Sequence, residues 1–280
     1  MPFGLPDRED EQRLTYGGYL KVRELIGLQQ LRSDPLQHDE TLFIIIHQVY
    51  ELWFKQLLHE LDTIIERLNN GETLVAHRLL RRCIEIERLL INQVAVLETM
   101  TPTDFLAFRD HLRPASGFQS FQFREIEYVS GLKDERFLKG YDPGSEEYRQ
   151  LTARLAQPSV LDAFYGLLRR CGFDLPADSL TASDENPDAH TRRVAALLRI
   201  YENPEKKDYS LFLLAESLIE YDEMFALWRL RHVKMVERMI GTKSGTGGSE
   251  GAAYLRKTVE RQFFPELWEV RNHLGTKSDA

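Results

Sequence analysis

The chain has 280 residues, 42% of them hydrophobic, and a formal net charge of -8. This length and composition predict a single globular domain over residues 1–280 and exclude disordered and fibrous classes. Because phosphate backbones attract clustered Lys and Arg, the excess of acidic residues argues against a nucleic-acid partner. The apolar runs are too short to span a membrane and the first residues are too charged for a secretory signal, so we expect no membrane association and a cytoplasmic location.

Helical periodicity runs through most of the chain, and no stretch alternates polar and apolar residues long enough to predict a strand. The segments with this period are 18–31, 39–68, 72–100, 119–132, 159–171 and 208–240. They predict an all-α fold, a helical bundle whose two longest helices form the spine and can enclose a cofactor between them. Cys83 and Cys171 both fall within these segments, which favours reduced core thiols over a disulfide or zinc framework.

The segments between the predicted helices carry signals of their own. The sequence NNGE at 69–72 predicts a short helix–helix turn, and TPTD at 101–104 predicts a helix start with Thr101 as the N-cap. Residues 1–13 predict a mobile N-terminal arm. The stretch 173–190 is rich in Pro, Asp and Ser, and it predicts a surface excursion or a small inserted lobe.

The first spine helix has a histidine on an otherwise apolar face. His47 shares this stripe, at spacings of three and four, with Phe43, Tyr50, Phe54 and Leu57. One interpretation is a core histidine whose ring bonds to a backbone carbonyl, and the other is a polar group in a ligand site. Periodicity alone leaves both open.

The second spine helix repeats the pattern. His232 lies on a stripe with Phe225, Trp228, Met235 and Met239, and this stripe is predicted to face away from the charged residues Arg229, Arg231 and Lys234. A helical zinc site needs a second ligand one turn away, but positions 228 and 236 hold Trp and Val. Haem iron needs as little as one protein ligand and a wide apolar slot. A hydrogen-bonded core histidine remains the alternative, although two such histidines could face each other across a flat cofactor.

A glycine-rich loop, GTKSGTGGSEG at 241–251, follows the second spine helix. It does not match the phosphate-loop or dinucleotide patterns, and no predicted strand precedes it. Two interpretations remain. The loop is either a flexible connector or a lid whose backbone N–H groups and Thr246 hydroxyl close over a small polar ligand.

Five blocks of this sequence together resemble the bacterial tryptophan 2,3-dioxygenases. They are LTYGGYL at 14–20, HDETLFIIIHQVYELWFKQLLHEL at 38–61, FRDHLRPASGFQSFQFREIE at 108–127, LWRLRHVKMVERMIGTKSGTGGSEG at 227–251 and FFPELWEVR at 263–271. The resemblance spans nearly the whole chain in order. It implies an all-helical fold with haem b, one per subunit and ferrous in the active form.

The resemblance assigns roles to the two histidines and their neighbours. It implies that His232 is the proximal haem ligand, with Trp228 beside it in the cofactor pocket. His47 then lies over the distal face near the indole N–H, as a catalytic and substrate-binding residue. Ser116 and Gly117 are expected near the distal oxygen site.

The resemblance also assigns the tryptophan pocket. Arg109 is expected to bind the substrate carboxylate, which a planar two-pronged donor suits, whereas beside Asp110 it would by itself indicate a surface ion pair. Gly245 and Thr246 are expected to hold the amino-acid end, and Phe43 to pack on the indole. Phe105 is expected in the same pocket. Some relatives have tyrosine where this chain has Phe105, so any hydrogen bond from that hydroxyl is missing here.

The activity that the resemblance implies is oxidative cleavage of the indole C2–C3 bond of L-tryptophan by O2, giving N-formyl-L-kynurenine as the first step of tryptophan catabolism. The implied assembly is a homotetramer, a dimer of dimers, in which Tyr16 and Tyr19 reach the pocket of a neighbouring subunit. The alternatives are an indoleamine dioxygenase of broader specificity and a helical haem sensor without catalysis.

Overall fold

The computed structural model describes residues 14–176, 187–202, 209–243 and 252–275. Within these ranges the chain forms twelve α-helices and no strand, which confirms the predicted all-α class. The helices are α1 Tyr16–Tyr19, α2 Val22–Leu25, α3 His38–Asn69, α4 Thr73–Leu97, α5 Pro102–Arg109, α6 Phe121–Ser130, α7 Glu146–Ala156, α8 Val160–Arg170, α9 Pro187–Glu202, α10 Tyr209–Ile240, α11 Ala252–Val259 and α12 Pro265–Glu269. Short 3-10 helices occupy Asp110–Leu112, Gly117–Gln119, Glu135–Gly140 and Val270–Asn272.

The two spine helices, α3 and α10, have 32 residues each, and α4 packs against both of them. Helices α6 and α8 pack on α3, and α11 packs on α10. Their apolar faces meet in a main core, whose fully buried members include Leu57, Leu61, Ile64, Leu80, Ile84, Leu214 and Leu218. Burial of such side chains contributes roughly 1.5–3 kcal/mol each, so this core accounts for much of the stability of the bundle. Among the helices described, none has both the length and the apolar character needed for a membrane crossing.

A second, smaller core cluster lies beside one end of the bundle. Helices α3, α4, α5 and α10 contribute most of its members, and Met100 comes from the turn before α5. The cluster consists of Ile46, Val94, Leu97, Met100, Phe108, Met235 and Met239. Several of these side chains also form the apolar wall of the cavity described below. The spine helices therefore bring distant segments of the chain to one site.

The predicted helix boundaries at two turns are confirmed. Gly71 has φ +76° in the turn between α3 and α4, a conformation that glycine adopts without steric cost. At the start of α5 the Thr101 hydroxyl accepts from the Asp104 backbone N–H at 3.2 Å, and the Asp104 carboxylate accepts from the Thr101 N–H at 3.2 Å. This reciprocal capping box satisfies two backbone donors that the helix itself leaves unpaired.

The predicted helix over 18–31 was wrong in its extent. The structure has only the four-residue helices α1 and α2 there, and no α-helix from Ile26 to Gln37. Lys21, between α1 and α2, has φ 53°, a left-handed conformation that ends the helical hydrogen-bond ladder. The apolar residues of this segment therefore do not form one continuous buried helix face.

The prediction for the cysteines was half right. Cys83 is fully buried in the main core, but Cys171 is exposed. Cys171 follows the last residue of α8, and Gly172 after it has φ +85°, so the chain leaves the core-facing helix at this point. Helical periodicity does not reveal where the last turn ends.

The segment predicted as a surface excursion is described only in part. Phe173 and Leu175 are buried, and α9 begins at Pro187. Residues 177–186 lie outside the described ranges, as does the predicted arm at 1–13.

A buried aspartate fixes the C-terminal segment to the second spine helix. The Asp222 Oδ2 atom accepts from the backbone N–H groups of Phe263 and Phe264 at 2.9 and 3.1 Å and from Trp268 Nε1 at 3.0 Å. Burial raises the pKa of Asp222 and the three hydrogen bonds oppose that change, so the three donors stabilise the junction most when the carboxylate is charged. The FFPELWEVR block is thus held against α10.

Candidate active site

A cavity of about 280 Å³ opens between α3, α5, α6 and α10. It is close to the lower end of the volumes seen for small-molecule sites. Eight of the residues predicted for the site line it: Phe43, His47, Phe105, Arg109, Ser116, Gly117, Trp228 and His232. They come from sequence blocks far apart in the chain, and the fold brings them together around one space.

The other four predicted site residues are not among the described residues that line the cavity. Tyr16 and Tyr19 are on α1, are 79% and 71% exposed, and do not line the cavity. Gly245 and Thr246 lie outside the described residues. Their predicted contacts with a ligand stay predictions.

The imidazole of His47 is held by its own helix. Its Nδ1 atom lies 2.6 Å from the carbonyl oxygen of Phe43, one turn earlier on α3. A carbonyl can only accept, so Nδ1 carries the hydrogen and Nε2 of the neutral ring is left as an acceptor. Burial lowers the pKa of His47, while the Phe43 carbonyl and the charge on Glu51 oppose that change. The neutral ring is therefore favoured near neutral pH.

The imidazole of His232 is held differently. It stacks almost parallel on the Trp228 indole, with 5.4 Å between centroids and 8° between planes. Among the residues that the structure describes, none forms a hydrogen bond with its ring nitrogens, so the interpretation as a carbonyl-bonded core histidine does not hold there. Burial, with a smaller effect of His47, lowers the pKa of His232 to about 4. The ring is neutral near pH 7, and its lone pair is available to a metal.

The donor set of the cavity was compared with what haem requires. Within the described ranges, no group of three or more His, Cys, Asp or Glu side chains is placed to hold a metal ion. Haem brings four nitrogen ligands with it and needs one axial imidazole in an apolar slot. His232 supplies that imidazole, and the wall around it is apolar, formed by Val94, Leu97, Met100, Met235, Val236, Met239 and Ile240. The residues present fit haem.

An aromatic group and an arginine form another wall of the cavity. The Phe43 ring stacks on Phe105 at 5.7 Å between centroids. Arg109, the last residue of α5, is only 7% exposed and lines the same space. Its neighbour Asp110 binds the exposed Arg113 at 3.1 Å. This wall offers a flat apolar surface close to a cation, a combination suited to an aromatic amino acid.

A buried ion-pair cluster at the cavity was missed from the sequence. Glu127 on α6 binds Arg124 at 2.6 Å and Arg229 on α10 at 2.9 Å, and all three line the cavity. The prediction that Arg229 belongs to the charged outer face was wrong, because it is 3% exposed and lies over the Phe225 and Phe263 rings. Its spacing of three from His232 places it on the buried side and was the available signal.

The chain was compared with known protein families and with curated proteins. The family model for tryptophan 2,3-dioxygenase matches residues 5–162 and 178–274. The chain is 47% identical to the tryptophan 2,3-dioxygenase of Nocardioides sp. (strain ATCC BAA-499 / JS614), covering 95% of this chain and 97% of the relative. It is 46% identical to the tryptophan 2,3-dioxygenase of Herpetosiphon aurantiacus, covering 94% of this chain and 99% of that relative. The same identity, 46%, relates it to the tryptophan 2,3-dioxygenase of Anaeromyxobacter sp. (strain K), over 93% of this chain and 96% of the relative.

Proposed function

The chain belongs to the tryptophan 2,3-dioxygenase family, and from that membership we propose how its cavity carries out the 2,3-dioxygenation of tryptophan. It is an oxidoreductase whose substrates are tryptophan and O2. In the proposed reaction both oxygen atoms enter L-tryptophan, the indole C2–C3 bond breaks and N-formyl-L-kynurenine forms. Because both atoms remain in the product, no external reductant is consumed.

Haem b, one per subunit, is assigned to the cavity with His232 as its protein ligand. When bound in the ferrous state, it supplies the chemistry that activates O2. The stacking of Trp228 on the His232 ring fixes the plane of the imidazole. The observation that carries the assignment is this neutral imidazole in an apolar wall, with no hydrogen-bond partner among the described residues.

The substrate is assigned to the wall of Phe43, Phe105 and Arg109. A guanidinium can bind a carboxylate with two parallel hydrogen bonds, which fixes the amino-acid end of tryptophan. Phe43 then packs on the indole ring. Gly245 and Thr246 remain proposed partners of the ammonium and carboxylate, on the strength of the family membership alone.

His47 is assigned the indole N–H. Its Nε2 atom is the acceptor of the neutral ring because Nδ1 donates to Phe43. An acceptor at this point orients the substrate within the cavity, which Ser116 and Gly117 also line. Orientation of this kind lowers the entropic part of the barrier.

The assembly and location follow the same proposal. We assign a cytoplasmic homotetramer, arranged as a dimer of dimers, in which Tyr16 and Tyr19 complete a neighbouring pocket. The exposed apolar side chains near the first described residues support an interface there: Leu14, Tyr16, Tyr19, Ile26, Leu28 and Leu36. Light scattering of the purified protein measures the number of subunits, and a monomer at all concentrations would contradict the assembly.

Absorption spectroscopy tests the proposed function. Purified protein supplied with hemin and reduced should show a haem Soret band, and addition of L-tryptophan and air should produce the absorbance of N-formylkynurenine. A Soret band without product would indicate a haem sensor, and a folded protein that stays colourless would refute the assignment. Parallel assays with D-tryptophan and tryptamine separate a tryptophan dioxygenase from one that accepts many indoleamines.

A further inference from the structure

Glu51 is a charged residue of the cavity that the proposed function does not use. It lies on α3 four residues after His47, and both side chains line the cavity. Residues four apart on a helix are neighbours, with about 5–6 Å between their Cβ atoms. Gln122 on α6 donates from Nε2 to the Glu51 carboxylate at 2.8 Å and to the Glu51 carbonyl oxygen at 3.0 Å. This contact fixes the carboxylate in the wall.

Glu51 differs from the other carboxylate of the cavity in its ion pairs. Glu127, the second carboxylate of the lining, is already bound to Arg124 and Arg229. Within the described ranges, Glu51 forms an ion pair with no lysine or arginine. The remaining ionisable lining residues are Arg109 on α5, His232 on α10, and Tyr50, whose hydroxyl donates to the Leu90 carbonyl at 2.7 Å. Unlike Glu127, Glu51 has no lysine or arginine bound to its carboxylate within the described ranges. Its negative charge can therefore act on His47 without being neutralised by a cation.

The charge of Glu51 acts on a ring that has one free acceptor. Because Nδ1 of His47 donates to Phe43, a proton taken up by the ring goes to Nε2, the atom assigned to the indole N–H. The cation has no acceptor left and cannot bind that N–H. Any group that stabilises the cation therefore changes how well His47 holds the substrate.

We propose that Glu51 is a positioning residue for His47, whose carboxylate charge stabilises the cationic form of that imidazole inside the cavity. The inference rests on the proposed role of His47 toward tryptophan. A negative charge one helical turn away favours the cation, so its removal extends the acceptor form of His47 to lower pH. Tryptophan affinity should fall as the pH is lowered and the His47 ring takes up its proton, and we call this part of the pH dependence the acid limb. Loss of the Glu51 charge should therefore move the acid limb.

Glu51→Gln isolates the charge, because the amide keeps the length of the side chain and an oxygen that still accepts from Gln122. The experiment measures the dissociation constant of L-tryptophan against pH in the haem-loaded, reduced, CO-bound protein, by the shift of its absorption spectrum. Neither the carboxylate nor the ammonium of tryptophan titrates between about pH 5 and 7, so the acid limb reports on the protein. We expect the limb to move to lower pH by about 0.3–1 unit, with affinity at pH 7.5 within about two-fold of wild type.

Two matched variants make the result specific. Glu51→Asp keeps the charge and should keep the limb close to its wild-type position. Glu66→Gln removes an exposed carboxylate from the same helix, and it should leave the limb unchanged. In a His47→Ala background the limb that arises from this ring is absent, so Glu51→Gln should leave the pH dependence of tryptophan binding unchanged.

A limb that coincides with wild type in Glu51→Gln would overturn the inference, as would an equal shift in the His47→Ala background. Either result leaves the proposed function standing if the wild-type protein binds tryptophan and forms product. Failure of the wild-type protein to bind tryptophan at any pH would instead remove the proposed function, and this inference with it.

Discussion

The two histidines of the cavity arise from the same sequence pattern, yet the structure holds them in different ways. His47 on α3 bonds through Nδ1 to the Phe43 carbonyl at 2.6 Å. His232 on α10 stacks on Trp228 and, among the described residues, has no hydrogen-bond partner. The first ring has a fixed tautomer and one acceptor, which suits a substrate N–H. The second ring is neutral and is held only by stacking and packing. Its nitrogen lone pair is available, which suits coordination of a metal.

This difference shows that the surroundings of a histidine decide its chemistry more than its place on a helix face. Desolvation disfavours the charged form of both rings, so both have a lowered pKa. What separates them is whether a backbone acceptor occupies one of the nitrogens. Substitutions on each side of the cavity test this division.

The largest effect is expected at the metal-binding side. His232→Ala should weaken haem binding at least about ten-fold, because even residues that only support a metal ligand change affinity by that much. The measurement is the haem content and Soret band of the protein supplied with hemin. External imidazole should restore a histidine-type spectrum, and His59→Ala, which removes an exposed imidazole from α3, serves as the control. An unchanged Soret spectrum in His232→Ala would contradict the assignment of the ligand.

On the substrate side, Arg109→Ala should weaken L-tryptophan binding about 100-fold and leave haem content unchanged, because a carboxylate left unpaired beside a buried position is costly. Arg109→Lys should recover only part of the affinity, since the planar two-pronged donor is lost. Tryptophan titrations of the haem-loaded protein measure both. Arg113→Ala, which removes an exposed arginine directly after the adjoining 3-10 helix, is the matched control. Equal affinity in Arg109→Ala and wild type would refute the role of Arg109.

A smaller loss is expected at His47. His47→Ala should keep its haem and some turnover, and it should bind tryptophan about ten-fold more weakly, the value of roughly one hydrogen bond. Steady-state kinetics together with the absorption spectrum test this. Complete inactivity of a variant that is fully loaded with haem would show that the ring acts as an obligatory base, and the contrast between the two histidines would then need revision.

The smallest effect is expected in the buried interior of the bundle, at Glu87 on α4. This side chain is 1% exposed, and neither of its oxygens has a hydrogen-bond partner among the described residues. Burial raises the pKa of Glu87 well above its ordinary value, and the charge on Asp222 adds to the change. The folded state therefore keeps a proton that the unfolded state releases, so stability from this group is present below about pH 4.3 and declines as pH rises.

Glu87→Gln has no proton to lose. The variant should gain about 1 kcal/mol of unfolding free energy relative to wild type at pH 8, and less at pH 5. Urea unfolding of the protein at both pH values measures the difference. Glu85→Gln removes an exposed carboxylate from the same helix and should show no such dependence. A Glu87→Gln variant that loses stability more at pH 8 than at pH 5 would show that the buried carboxyl is charged.

Much of this architecture was predictable from local sequence patterns. The periodicity located both spine helices to within one residue at each end, because long amphipathic segments repeat the same signal over many turns. The capping residues at Thr101 and the turn at Gly71 were equally local, since their hydrogen bonds join residues a few positions apart. The helices α7, α9, α11 and α12 were not predicted, and 18–31 was predicted as helix although most of it is not.

The positions of His47 and His232 on apolar faces of long helices follow from the sequence alone, since a period of 3.6 residues places side chains on a face without any knowledge of the neighbours. The tertiary structure alone pairs Arg229 with Glu127, because the two residues are 102 positions apart in the chain. The same is true of Glu51, which Gln122 reaches from 71 positions away. Charge pairs between helices depend on which faces meet, and that choice is made by packing of the whole core and by no local pattern.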